Sequence, residues 1–492
     1  MSKYIIGIDQ STQGTKAVLF DEKGSLLKRE DLPHRQIVDS RGYVEHDPEE
    51  IYRNVIQVVK NLVEASGIDK NQIEGVGISN QRETSIAWTR DGKPLYNAIV
   101  WQCKRAEDIC DDIMSKGYGQ MIKERTGINL SPYFPAGKLS WIMKNVDAAK
   151  KAAKDKKLCC GTVDAFLVYR LTGGREFRTD YSNASRTQLF NIGNLKWDEQ
   201  ICKVFEVPIE ALPEVTDSDG YFGETDFEGF LPHPVPIRGV LGDSHGALFG
   251  QGCLSEGMVK ATYGTGSSVM MNIGDKQVLS SHGLVTSLAW KIGGKVDYVL
   301  EGNINYTGAV ITWLKDDLQL INSAAETEAL AREADPEDHS YIVPAFSGLG
   351  APYWDGKAEA VICGMTRTTK KAEIVRDALD CIAYQIADIV GAMNDDVSFS
   401  IKELRVDGGP TKNAYLMQFQ TDMVRVPVLV PPAEELSAMG AAYAAGIALG
   451  IYDKNKLFSG IKRTEYNVKM SEKEYEGHYN GWKAAVRKVL QP

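Results

Sequence analysis

The chain opens with apolar, mostly β-branched runs broken by short turn-forming segments: "KYIIGIDQ", "STQG", "TKAVLFD", "EKGS" and "LLKRE" follow one another from Lys3 to Glu30. Branched apolar residues favour extended backbone and glycine with small polar residues favours reversal, so this reads as three antiparallel strands joined by tight turns. From Pro48 the spacing changes. Ile51, Val55, Val58, Val59, Leu62 and Val63 share one face of a helix, with Asp47 as N-cap and Pro48 at the first helical position. "IEGVGISN" is then a buried strand ending at "QRET". That puts Arg82 and Glu83 at a strand's C-terminal edge, where α/β folds hold ligands.

The second half repeats this grammar. "GMVKATYGTGSSVMMNIG" is a strand, a glycine-rich hairpin and a strand, "KVDYVLEGN" is another strand, and helices and strands alternate as far as "GAAYAAGIALGIY". The pattern predicts an α/β chain of two similar halves, residues 1–249 and 250–492, with a site in the cleft between them. The lysine-rich "DAAKKAAKDKK" reads as a solvated helix face.

Composition narrows the function classes. At 492 residues, 43% hydrophobic and 25% charged, the chain can bury sizeable cores. A formal net charge of -10 disfavours non-specific binding to nucleic acid or anionic membranes, but allows a local basic pocket for phosphate. No segment approaches the roughly 20 apolar residues that span a bilayer, and a cytoplasmic location is expected. The 8 cysteines show no paired CxxC spacing and read as buried free thiols, and the histidines show no zinc-binding pattern.

"LGDSHGALFGQG" at 241–252 sets an aspartate, a serine and a histidine side by side. Adjacent side chains diverge in strands and helices, so these three cannot hydrogen-bond in series as a hydrolytic triad does. Nucleotide chemistry has other carriers. GxxxxGK[ST] and GxGxxG are both absent, but "DQSTQGTK" and "TYGTGSS" are Gly/Ser/Thr hairpins whose backbone N–H groups could converge on phosphate, with Lys16 beside the first. Either hairpin alone would be an ordinary turn. A third piece, "LRVDGGPTKNAYLMQFQ", runs from a strand through Gly408 and Gly409 into a helix expected from about Thr411, and its glycines admit a flat base or ribose. Two phosphate hairpins and an adenosine turn resemble the actin, hexokinase and Hsp70 ATPase superfamily, with its ribonuclease H-like fold and interdomain cleft.

"GIDQSTQGTKAVLFD", "GISNQRETSIAW", "NAIVWQCKR", "TGINLSPYFPAGKLSWIMKN", "TDYSNASRTQLFNI", "ATYGTGSSVMMN", "VPAFSGLGAPYWD" and "LRVDGGPTKNAYLMQFQ" resemble the FGGY carbohydrate kinases over nearly the whole chain, and within them the glycerol kinases most closely. The resemblance implies ATP and Mg²⁺ as cofactors. It implies Asp243 as the base beside the attacking hydroxyl, and Asp9 with Asp243 at the metal. Arg82 and Glu83 would hold acceptor hydroxyls, with Trp101 and Tyr133 as walls and Ser244 and Ser268 lining the same pocket. Thr12, Gln13, Gly14, Lys16 and Thr265 would meet the phosphates, and Gly308, Thr312, Gly409 and Asn413 the distal phosphates and nucleoside. The family's kinases suggest a homodimer or homotetramer.

The chain also departs from glycerol kinases. They usually carry glutamine at the Ser244 position, phenylalanine at the Ser268 position and arginine at the Lys16 position. Loss of the phenylalanine removes about 150 Å² of apolar surface. The reading is therefore an ATP-dependent kinase of a small polyol or sugar, in which the two serines make room for a tetritol, pentitol or ketopentose and, with His245, supply partners for its extra hydroxyls. The alternative is that neighbours refill the space and glycerol is the acceptor. A third class, an actin- or chaperone-like ATPase without a sugar substrate, has no use for a polyol site made of Arg82, Glu83, Tyr133 and Asp243.

Overall fold

The computed structural model describes residues 2–432 and 435–490. The three opening strands form as Tyr4–Gln10, Gly14–Phe20 and Leu26–Pro33, paired antiparallel in sequence. They lie at one side of a sheet of 6 strands, in which Tyr4–Gln10 also pairs parallel with Ile73–Asn80, and that strand pairs parallel with Val235–Gly242. The helix Pro48–Ser66 covers one face, capped by Asp47, whose carboxylate accepts from the Glu49 N–H at 2.9 Å. Its apolar stripe, from Ile51 to Val63, is buried against the sheet as the spacing requires.

The second large sheet has 7 strands and the same local plan. Met258–Tyr263 pairs antiparallel with Ser267–Gly274 across the glycine-rich turn and parallel with Glu403–Gly408 on its other side. Lys295–Ile304 pairs with Ser267–Gly274 and carries Val285–Ile292 beyond it. The 26-residue helix Lys371–Asp396 packs on this sheet. A third sheet, of 5 short strands, is attached to the first half and ends in Leu158–Thr162.

One helix crosses back. Leu436–Ala448, an alanine- and glycine-rich segment near the end of the chain, packs on the first sheet and on the helix Asp243–Gly250. Glycines permit the approach: a Cβ at Gly77 or at Gly239 would lie 2.2 Å from the Ala441 carbonyl oxygen. Those positions are open to glycine alone because backbone, not a movable side chain, fills the space.

The structure refines two expectations. The helix expected from Thr411 begins at Ala414: Gly409–Lys412 forms one 3₁₀ turn, and Asn413 caps the α-helix by accepting from the Leu416 N–H at 3.0 Å. Asp147–Lys154 is the solvated lysine-rich helix, anchored by buried Ala149 and Ala152. All 8 cysteines are free thiols, 7 of them buried. Among the described residues no helix is long and apolar enough to cross a membrane.

Candidate active site

Register builds the centre of the site. In the first sheet Asp9 lies opposite Ser79 and Gln10 opposite Asn80, while Leu241 lies opposite Ser79 and Gly242 opposite Asn80. Three parallel strands thus end at the same level. Asp9, the Gln81–Glu83 segment and Asp243 emerge together along one edge, where backbone donors and side chains are free to face a ligand.

Asp9 is buried and accepts from Ser79 Oγ at 3.0 Å. Burial pushes its carboxyl up to about 6, against the pull of Lys16, its cross-strand partner, and helped by the nearby charge of Asp243. Lys16 in turn meets Glu435 at 3.1 Å, and Arg29 pairs with the same carboxylate. Asp243 begins the helix Asp243–Gly250, and its side chain is 36% exposed in surroundings that are otherwise closed. Its Oδ1 accepts from Arg82 Nε at 3.0 Å and from the Ser244 N–H at 2.6 Å.

Arg82 is 6% exposed and heavily engaged. Beyond Asp243 it donates through Nη1 and Nη2 to Glu301 at 2.9 and 2.8 Å, and through Nη2 to Ser244 Oγ at 3.1 Å. Glu83 is buried with its backbone at φ 60°, in the left-handed region that non-glycine residues seldom occupy, and accepts from Arg186 Nε at 2.6 Å. Ser268 is half-buried and donates to Glu301 Oε1 at 3.1 Å. His245 is fully buried under this network, and burial, then Arg82, holds its imidazole well below the usual range, so it is neutral. Enclosed in this way, it is not a pocket hydroxyl partner.

The aromatic wall stands beside these groups. Trp101 and Tyr133 meet with ring centroids 5.5 Å apart, and Trp101 Nε1 donates to Thr12 Oγ1 at 2.9 Å, which joins the first hairpin to the wall. Tyr133 is fixed from behind by Lys138, which donates to the carbonyls of Pro132, at 2.9 Å, and Tyr133. Burial lowers the Lys138 amine to about 7.

The first hairpin closes through the Ser11 N–H to Gly14 carbonyl bond at 2.8 Å, with Gln13 at its tip accepting from the His34 N–H. At the second hairpin the Thr265 carbonyl accepts from the Thr307 and Ala309 N–H groups, and the Gly308 N–H donates to Gly264. Parallel pairing of Tyr263 with Gly408 sets this hairpin beside the Gly408–Gly409 turn. Next to both lies a cavity of about 570 Å³ bordered by Gly308, Thr312, Gly409 and Asn413, with Ile311, Leu379 and Leu416 among its apolar lining. A Cβ at Gly409 would meet nothing within 4 Å. The turn is open on that side, and bare backbone faces the apolar side chains across the cavity.

Sequence reasoning missed Glu301 and Arg186. Each signalled itself weakly: Glu301 is a lone charge inside the apolar strand "YVLEGN", and Arg186 a lone charge in "SNASRTQLF".

The chain thus has two α/β units, one with buried polar groups along a sheet edge and the other with a cavity beside its glycine turns, an arrangement suited to a two-substrate transferase. The comparisons specify it. Residues 4–250 match the N-terminal domain, and residues 259–449 the C-terminal domain, of the FGGY family of carbohydrate kinases. The chain belongs to that family. It is 47% identical over 490 residues to glycerol kinase 1 of Thermotoga maritima, covering 99% of each chain, and 46% identical to the glycerol kinase of Alkaliphilus oremlandii, covering 100% of this chain and 98% of that one. Among solved structures it is similar to Plasmodium falciparum glycerol kinase with ADP, with a TM-score of 0.94 at 35% identity, covering 100% of this chain and 99% of that one. A xylulose kinase from Lactobacillus acidophilus, at TM-score 0.88 and 23% identity, shares the fold. The protein is an ATP-dependent carbohydrate kinase, and an actin- or chaperone-like role is set aside.

Proposed function

We propose that the protein transfers the γ-phosphoryl group of ATP to a terminal hydroxyl of glycerol, giving glycerol 3-phosphate and ADP. The observation that carries this reading is the joining of Arg82 to Asp243 at 3.0 Å at the cleft edge of the first sheet. One side chain can hold a hydroxyl while the other removes its proton. Similarity to glycerol kinases along the whole chain favours glycerol over the broader class of small polyols and sugars.

In this reading Arg82 donates to, and Glu83 accepts from, acceptor hydroxyls, and Trp101 with Tyr133 covers the carbon chain. The bonds from Arg82 and the Ser244 N–H both fall on Asp243 Oδ1, so Oδ2 takes the proton as the hydroxyl oxygen attacks phosphorus in line and ADP departs. The hairpins at Thr12–Gly14 and Thr265, with Lys16, hold the phosphates, and Gly308, Thr312, Gly409 and Asn413 border the nucleoside.

The site suits Mg²⁺ carried in on the nucleotide. No group of three or more acidic, histidine or cysteine side chains forms a metal cage among the described residues, and Asp9 and Asp243 are two hard carboxylates at the strand ends. A cation that keeps its waters and binds phosphate oxygens needs no more protein than that. When bound, Mg²⁺ neutralises charge on the β- and γ-phosphates. Buried thiols and the lack of a membrane-crossing helix among the described residues support a cytoplasmic setting.

A coupled assay of ADP release with glycerol, and identification of the phosphorylated product, tests the reading. A second reading, a four- or five-carbon acceptor, rests on the small hydroxyl side chains Ser244 and Ser268 at this edge. A higher kcat/KM for erythritol, a pentitol or a ketopentose than for glycerol would put it first.

A further inference from the structure

The acceptor groups of the first domain are held by a carboxylate of the second. Glu301 lies in the strand Lys295–Ile304 of the C-terminal sheet with its side chain fully buried, and it faces two arginines of the N-terminal domain. Its carboxylate takes the Arg82 fork through both oxygens, and Arg186 Nη1 approaches Oε2 to 2.8 Å. Arg186 also grips Glu83, and Ser268 adds a hydroxyl to Oε1. The buried set is charge-balanced, two guanidiniums against Glu83 and Glu301. Burial alone would push the Glu301 carboxyl up, but Arg186 and Arg82 outweigh it and hold it well below the usual carboxylate range.

Such a network is a poor way to gain stability, because apolar residues of equal volume would serve as well without the loss of hydration. What it supplies is direction. A bidentate fork fixes the plane of a guanidinium, whereas a point charge or an apolar contact does not. Four N–H groups of Arg82 are aimed by Asp243, Ser244 and the two Glu301 oxygens, and one N–H on Nη1 is unclaimed by these bonds. Glu83, kept in a left-handed backbone, is aimed in the same way by Arg186.

We propose that Glu301 is a positioning residue for the acceptor site, fixing Arg82 directly and Glu83 through Arg186, so that acceptor recognition by the N-terminal domain depends on a carboxylate of the C-terminal domain. The proposal rests on the reading of Arg82 and Glu83 as the acceptor-holding pair. Glu301 touches no substrate in it.

The test is a split of kinetic constants, with circular dichroism melts to show that each variant folds. Glu301→Gln turns an N–H toward one of the arginines, and it should raise the acceptor KM tenfold or more while the KM for ATP stays within twofold. Arg186→Lys keeps the charge and loses the fork, and should raise the acceptor KM several-fold with the same indifference to ATP. Ser268→Ala, which removes one hydroxyl from Glu301, should produce a smaller rise. Acceptor constants within twofold of wild type in folded variants, or acceptor and ATP constants rising together, overturn the proposal. If Glu301→Gln does not fold, Arg186→Lys and Ser268→Ala decide it by the same criterion. The acceptor is settled first on the wild type: if glycerol is not phosphorylated the glycerol reading fails, and the split is measured with the best acceptor among C3–C5 polyols and ketopentoses. If none is phosphorylated, both readings fall.

Discussion

Arg82 donates from Nε to Asp243 Oδ1 at 3.0 Å, although 161 positions separate the two residues in the chain. In the proposed function the bond ties the acceptor-holding group to the proton acceptor. On that reading an acceptor hydroxyl placed against Arg82 would lie near the carboxylate, and positioning, the larger part of phosphoryl-transfer catalysis, would be built in before the nucleotide arrives.

Asp243→Asn keeps the shape of the side chain and cannot accept the hydroxyl proton. It should lower kcat by ~10²- to 10⁴-fold while ATP affinity, measured by calorimetry, stays near wild type. Wild-type kcat in this variant would remove Asp243 from its role.

Arg82→Lys retains the positive charge opposite Glu301 and loses the planar fork. We expect an acceptor KM about tenfold higher, with the KM for ATP little changed. Arg82→Ala should in addition lower the melting temperature, since leaving Glu301 with one arginine costs about 3 kcal/mol or more.

Chelation of divalent metal should stop ADP release, and added Mg²⁺ should restore it. Asp9→Asn should shift the Mg²⁺ dependence of kcat to higher concentration without weakening binding of metal-free nucleotide. An unshifted Mg²⁺ curve would detach Asp9 from the metal.

On the second reading, the small side chains Ser244 and Ser268 would leave room for a longer acceptor. Ser244→Gln combined with Ser268→Phe should cut kcat/KM for four- and five-carbon acceptors by roughly tenfold or more, through steric conflict, and change that for glycerol far less. Equal losses for short and long acceptors would show that the serines do not govern acceptor length.

Asp388 accepts from Tyr353, Tyr479 and Trp482 at 2.7 to 2.9 Å, and burial pushes its carboxyl up to about 6. The folded pKa is above the unfolded value of 3.8, so the group's contribution to stability is present in full below that value and is lost as pH rises through about 6. Relative to Asp388→Asn, the wild type should lose about 2 kcal/mol of unfolding free energy between about pH 4.5 and pH 7. Urea melts at several pH values measure this, and parallel curves for the two proteins would contradict it.

Local patterning determined much of this protein. The two hairpins, the capped helix Pro48–Ser66, the strand ending at "QRET" and the glycine turn at Gly408–Gly409 are written in residues that act on their immediate neighbours, through branching, turn propensity and capping. Family motifs carried by those same segments named the candidate acceptor and nucleotide residues. The tertiary structure decided what joins them. Nothing in the periodicity of "YVLEGN" states that its glutamate meets Arg82, 219 positions earlier, or that Ser268 bonds to it and not to open space. Nor does "GAAYAAGIALG" show that its helix returns to the first sheet, where Gly77 and Gly239 clear the way. Side-chain pairing across domains follows from how the sheets are oriented and packed, and a sequence records only which charges and which small residues are available for it.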